Sequence, residues 1–210
     1  MVVKVPKDQA TLFYDRKSNT SLNVQVLAGP DMRILDFVNR YYGSAHDTRI
    51  LYASSLYSKM LNNPPAGHML GDAGYPCLPF LLTPYRVKGG DTSNLTPAER
   101  KYQSSHIRTR NLIERLFGCW KSKFQCLRGL RLRIDTSIRV INACAVIWNF
   151  LIDEKDPLMA QEEEGVDEYT QTDGDRRRQD EQTGSQRSRI SPGERKRKDL
   201  TEGYFNSLIN

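Results

Sequence analysis

Long apolar runs are missing from this 210-residue chain. No stretch reaches the 18 or so consecutive apolar residues that a bilayer span needs, so no membrane association is expected. The opening segment "MVVKVPKDQATLFYDRK" has no apolar signal core, which argues against secretion. Cysteine is scarce: Cys77, Cys119, Cys126 and Cys144 form no CxxC pair and have no histidine at zinc spacing. Buried free thiols in a reducing compartment are expected, not a zinc site or a disulfide framework. Between residues 100 and 139 acids are nearly absent, with Glu114 and Asp135 facing eleven Lys and Arg. A solvated helix face mixes signs for i,i+4 pairing, and this block does not, so a polyanionic partner is favoured. Apolar residues are few from 156 to 192, where disorder is expected.

What is present reads as a mixed chain of strands and helices. Val2, Val3 and Val5 before Pro6 resemble the end of a strand. In "SLNVQVLAG", Leu22, Val24 and Val26 alternate with Asn23 and Gln25, the period of a half-buried strand. Gly29-Pro30-Asp31 is turn chemistry and "MRILDFVN" follows, predicting an antiparallel hairpin over 21–39. One helix is predicted over 43–61, starting near Ser44 or Asp47 and burying Ile50, Leu51, Leu56 and Met60. "GHML" predicts a short strand ending at Gly71. Residues 85–97 form a loop that leads to Thr96-Pro97-Ala98-Glu99, a capping box with proline in the first turn.

That box opens a helix reaching about Phe124, with Ile107, Ile113, Leu116, Phe117, Trp120 and Phe124 on its apolar stripe. A second helix, about 135–153, starts at Asp135 or Thr136 and buries Ile138, Ile141, Ala145, Val146, Trp148 and Ile152. The expected organisation is one domain over 1–153, a disordered linker over 154–192, and a short basic segment over 193–210 that docks as a helix.

Two acids stand out. Asp72, in "LGDAGYP", sits on a turn of small residues just past an apolar step, and those glycines would let a ligand approach the backbone. Glu114 is the lone acid of the basic helix. A solvated turn and an ion-pair partner are the plain alternatives for these two. Carboxylates converging from a strand end and a helix also suit two Mg²⁺ or Mn²⁺ ions that act on a phosphodiester, because hard oxygen donors match hard cations.

Four segments then carry a family resemblance, in order, over about residues 2–153. "RNLIERLFGCWKSKFQCL" resembles the "R…IE..FG..K.RF..L" helix of PIF/Harbinger-type transposases and their domesticated nuclease relatives. "YYGSAHDTRIL", "LGDAGYPCLPFLLTPYR" and "YDRKSNTSLNVQVL" are similar to their "PGS.HD.R", "LGDSGYP…TP" and "YRNRKG..S.NVQ" segments.

The resemblance implies an RNase H-like DDE nuclease fold, with Asp72 as second acid, Glu114 as third, and two bound Mg²⁺ or Mn²⁺ ions. It further implies DNA as substrate, nuclear localisation and a separate Myb/SANT-like DNA-binding partner. Arg108, Arg110, Arg115, Lys121 and Lys123 would then hold the DNA backbone without reading sequence.

The family's first acid lies in a "(D)GTH" strand upstream of the match, so this chain is expected to be N-terminally truncated and impaired. Asp8, Asp15 and Asp36 match no motif. Asp47 is the remaining candidate near the metals, with a helix cap or structural bond as its plain alternative. His46 beside it is expected to be structural. A non-catalytic nuclear module that binds DNA or protein is the competing reading. Arg176-Arg177-Arg178 and Arg195-Lys196-Arg197-Lys198 are candidate import patches.

Overall fold

The computed structural model describes Met1, Val3, Phe13 and residues 20–87, 91–155 and 190–209. Two strands come first, β1 (Leu22–Ala28) and β2 (Ile34–Tyr42). Two short helices follow, α1 (Asp47–Tyr52) and α2 (Ser55–Asn62). Next are β3 (Met69–Leu70) and β4 (Leu81–Leu82), then the long α3 (Pro97–Lys123). The chain continues with a 3₁₀ turn at Gln125–Arg128, α4 (Ile134–Asp153) and α5 (Pro192–Leu200), which runs into a wide π turn at Thr201–Phe205.

The expected single domain over 1–153 is divided. The chain clusters into two compact units, Met1–Leu56 with Leu112–Glu168, and Tyr57–Asn111 with Tyr169–Asn210. The boundary crosses α3, so its first half belongs to the second unit and its second half to the first. The described strands form two separate pairs, and the class is mixed helix and strand.

In the first unit, β1 and β2 pair antiparallel from Leu22 opposite Tyr42 to Ala28 opposite Ile34, with register shifts at two places. The hairpin is the one predicted, with β2 carried on to Tyr42. Its turn places buried Met32 at φ 61°, a left-handed conformation that costs an L residue roughly 1 kcal/mol. The Met32 carbonyl there accepts the Trp148 Nε1–H at 2.9 Å, which helps hold the turn.

Leu22, Val24, Val26 and Ala28 face a core shared with Leu116, Trp120, Leu127, Ile141 and Trp148. Gln25, on the face expected to be open, is also buried. Val3 forms a parallel bridge to Leu130, and Val2 and Val5 lie outside the described residues.

Helix α4 is pinned to β2 by two asparagines. Asn149 accepts from Ile34 N and donates to Ile34 O, both at 2.8 Å, imitating a neighbouring strand. Asn39 donates to Ile138 O and to Asn142 Oδ1. The buried face is Ser137, Ile141, Cys144, Ala145 and Trp148. Val146 belongs elsewhere and is 70% exposed, because 100° per residue turns it away from Ala145 and Trp148. By length and composition α4 is apolar enough to cross a membrane, although it contains no unbroken apolar run of that length.

The single helix predicted over 43–61 is two. At the break the Ser54 hydroxyl donates to Leu51 O at 2.6 Å, while Ala53 and Ser54 N–H close α1 onto Arg49 O and Leu51 O. A serine that satisfies carbonyls locally competes with helix continuation. The N-cap of α1 is His46, which makes no side-chain capping bond. Of the predicted buried set, Ile50, Leu51 and Leu56 are buried and Met60 is half-buried.

In the second unit β3 and β4 pair in parallel, Met69 with Leu81 and Leu70 with Leu82. Gly71 N–H extends the ladder to Leu82 O at 2.9 Å. The Thr96–Glu99 box closes as predicted, with Thr96 N–H on Glu99 Oε2 and Glu99 N–H on Thr96 Oγ1. Residues 88–90 and 156–189 lie outside the described residues, and with them most of the expected linker.

The C-terminal segment is the docked helix expected, and it lies in this unit. Ser191 and Glu194 form a full capping box. Gly193 lies so close to Cys77 that a Cβ there would stand 2.3 Å from the Cys77 carbonyl oxygen. Phe205 packs edge-on to Tyr102, 5.6 Å between centroids. Of the four free cysteines expected to be buried, Cys119 and Cys144 are, whereas Cys77 is half-buried and Cys126, on the 3₁₀ turn, is exposed.

Candidate active site

Asp72 stands one residue past Gly71, at the carboxyl end of β3, the end of parallel strands where α/β proteins gather ligands. Its Oδ1 accepts the Gly74 N–H at 2.8 Å and its carbonyl accepts Tyr75 N–H at 3.2 Å. The carboxylate is thereby oriented by its own turn and is half-buried.

Gly71 does not leave room for a ligand, as the sequence reading supposed. An added Cβ would meet Leu81 Cδ1 at 3.0 Å and Tyr75 Cδ2 at 3.3 Å, so the space is already filled by the unit's own packing.

Glu114 lies half-buried on the part of α3 that belongs to the first unit. One turn later on the same face, an added Cβ at Gly118 would meet nothing within 4 Å. A glycine inside a helix costs roughly 1 kcal/mol against alanine, and packing among the described residues gives no reason for this one. The open backbone sought beside Asp72 is found beside Glu114.

The basic side chains of α3 differ among themselves. Arg108 is exposed, whereas Arg110, Arg115, Lys121 and Lys123 are partly covered. Lys121 Nζ lies 5.7 Å from the Phe117 ring centroid, and burial lowers its pKa. Asp47 opens α1 and accepts the Asn23 amide at 3.1 Å, which ties α1 to β1 as a structural bond.

Sequence reading missed three groups around the Asp72 strand pair. His106, on α3, is buried, with Nε2 3.3 Å from Leu82 O and Nδ1 without a partner among the described residues. Burial above all, then the charges of Arg110, Arg197 and His68, lower its pKa to about 4 against the upward pull of Leu82 O, so the ring is neutral near pH 7.

Arg197, on α5, is buried and donates from Nη1 to Thr83 O and Pro84 O, and its guanidinium stacks 4.2 Å from the Tyr85 centroid. Lys196 donates to Gly67 O and Pro79 O. Half of the Arg195–Lys198 cluster therefore serves the fold, while Arg195 and Lys198 are exposed. Arg176, Arg177 and Arg178 lie outside the described residues. The only signal for these contacts was the charge run itself, because the partners are more than 100 residues away.

Among the described residues no three His, Cys, Asp or Glu side chains group as a metal site. Asp72 and Glu114 belong to different units. Both supply the hard carboxylate oxygens that Mg²⁺ or Mn²⁺ prefer, so a divalent hard cation fits their donor chemistry.

The model of the DDE superfamily endonuclease family matches residues 1–149. The Arabidopsis thaliana "Protein ALP1-like" is 27% identical over 161 residues, covering 69% of this chain and 38% of its own length. "Putative nuclease HARBI1" of Rattus norvegicus is 28% identical over 158 residues, covering 73% of this chain and 44% of its own. The Xenopus laevis protein of the same name is 23% identical, covering 71% and 43%. The chain thus spans less than half the length of these relatives. No solved structure matches it. By the family match and the order of its motifs, this chain belongs to the DDE superfamily endonucleases.

Proposed function

We propose that this chain supplies part of a transposase-derived, divalent-metal-dependent DNA nuclease of RNase H-like fold, with Asp72 and Glu114 as metal-ligating catalytic acids. The observation that carries the reading is the placement of Asp72, a carboxylate fixed by the Gly74 N–H at the carboxyl end of a parallel strand. Gly118 supports it from the other acid, because one turn past Glu114 an added Cβ would meet nothing within 4 Å.

Asp72 and Glu114 would hold Mg²⁺ or Mn²⁺, which when bound would supply activation of the attacking oxygen and stabilisation of the leaving one. The chain's own residues orient the carboxylates and hold the DNA backbone through Arg108, Arg110, Arg115, Lys121 and Lys123. Asp47 is a weaker third candidate ligand, since its Oδ1 already serves Asn23.

The reading places the protein in the nucleus, with import carried by Arg176–Arg178 and by exposed Arg195 and Lys198. It leaves sequence selection on DNA to a separate Myb/SANT-like protein. A non-catalytic nuclear module that binds DNA or protein is the second reading, favoured by the number of basic residues on α3.

The test is Mn²⁺-dependent nicking of supercoiled plasmid together with Mn²⁺ titration calorimetry. Asp72→Asn and Glu114→Gln are each expected to weaken Mn²⁺ binding by at least about tenfold and to remove residual nicking. Unchanged Mn²⁺ binding in both variants, with plasmid binding intact, would sink the metal site and leave the binding module.

A further inference from the structure

We propose that α4 is a self-association surface, on which a second copy of this chain lays its own α4 antiparallel about a two-fold axis through Val146. The solvent side of α4 carries a stripe that the core does not use. Ala143, Val146, Ile147 and Phe150 are exposed along it, with Val146 at 70% and Phe150 at 59%. Arg139 and Asp153, both exposed, flank the stripe.

These two charges decide the occupant. Arg139 lies seven residues before Val146 and Asp153 seven after, and seven residues return a helix to nearly the same face. A two-fold axis at Val146 therefore sets Arg139 of each copy opposite Asp153 of the other, one ion pair at each end. The same operation puts Phe150 over Asn142 and next to Ala143 of the second copy, a large side chain against a small one.

A parallel or shifted pairing loses this match. Asp153 already pairs with Arg33, yet its side chain is 52% exposed and can accept a second guanidinium. One helix pair is a small interface, so a weak dimer is expected, with a Kd on the order of 10 μM.

Sedimentation velocity of the full chain, over about a hundredfold concentration range around that Kd, gives the test. The chain is expected to pass from monomer to dimer, and Val146→Glu is expected to weaken the dimer on the order of a hundredfold. Leu61→Glu, at a 60% exposed position outside the stripe, is expected to leave it unchanged. Both sites are exposed, so the monomer's thermal melt should not move.

The register is read separately in a Cys126→Ser background with oxidised glutathione as electron acceptor. Helix axes 8–10 Å apart bring axis-facing Cα atoms to roughly 3.5–5.5 Å, overlapping the disulfide range. Val146→Cys should cross-link to itself and Phe150→Cys should not. A chain monomeric throughout, a dimer indifferent to Val146→Glu, or a stripe that instead binds lipid vesicles would each overturn the proposal.

Discussion

Gly118 and Gly71 are both glycines beside a candidate catalytic acid, and they make opposite predictions. At Gly118 an added methyl meets nothing, so Gly118→Ala should stabilise the protein by roughly 1 kcal/mol through helix propensity. If a metal-bound phosphate approaches there, the same change lowers nicking while raising the melting temperature. At Gly71 the methyl would press on Leu81 and Tyr75, so Gly71→Ala should destabilise by about 1–3 kcal/mol. Urea unfolding of both variants checks the pair of signs.

His106 adds a pH dependence. Its folded pKa of about 4 lies below the ordinary 6.5, so between those values the unfolded chain binds a proton that the folded chain refuses. The stability linked to it is complete above about pH 6.5 and is lost as pH falls towards 4, up to roughly 3 kcal/mol. His106→Gln should flatten the stability curve across that window, as followed by urea midpoints.

Among the elements, α5 is the one whose role was least visible beforehand. Its capping box forms from local sequence, but its docking relies on Gly193, Lys196, Arg197 and Thr201 reaching loops far back in the chain. Thr201 Oγ1 accepts the Tyr85 hydroxyl at 3.0 Å, and Tyr102 donates to the Thr83 carbonyl that Arg197 also uses.

Burial above all raises the pKa of both tyrosines, against the lowering pull of Arg197. Gly193→Ala would drive a methyl into the Cys77 carbonyl and should detach α5 from its seat, seen as faster proteolysis after Lys196 and Lys198. Arg197→Ala leaves the Pro84 carbonyl without its donor and should cost about 2–4 kcal/mol. Ser191→Ala removes only a cap and should cost about 1 kcal/mol.

At the scale of the whole molecule the uneven charge becomes measurable. If the five basic residues proposed on α3 each neutralise a phosphate, the logarithm of duplex DNA affinity should fall with that of salt at a slope of about −4.5. Arg108→Ala, at the exposed position, should reduce the slope by about 1 without changing preference among sequences. A slope near zero would remove the DNA-backbone role.

The hairpin, the helix from Thr96 and the helix ending near Asp153 were legible because each has a strong period and clear turn or capping chemistry. The break at Ser54 was not, because a hydroxyl bonding one carbonyl leaves no mark on the apolar pattern. Val146 was assigned to the core because an apolar side chain looks the same on either side of a helix. Burial of Ile141 and Trp148, with the bonds from Asn149 to Ile34 and from Asn39 to Asn142, fixes which side faces inward.

Local periodicity, caps and turn residues follow from interactions within a few positions, so the amino-acid order alone determined where β1, β2, α3 and α4 form. The order of the motifs likewise determined the family, and with it Asp72 and Glu114 as the acids to examine. Tertiary packing decided what surrounds them. It filled the space at Gly71 with Leu81 and Tyr75, left Gly118 open and set His106 neutral beneath Leu82. It also turned two residues of a basic run into donors for carbonyls 113 to 129 positions away. Those outcomes depend on which distant groups desolvate one another, and burial and long-range hydrogen bonds leave no period in the sequence from which to read them.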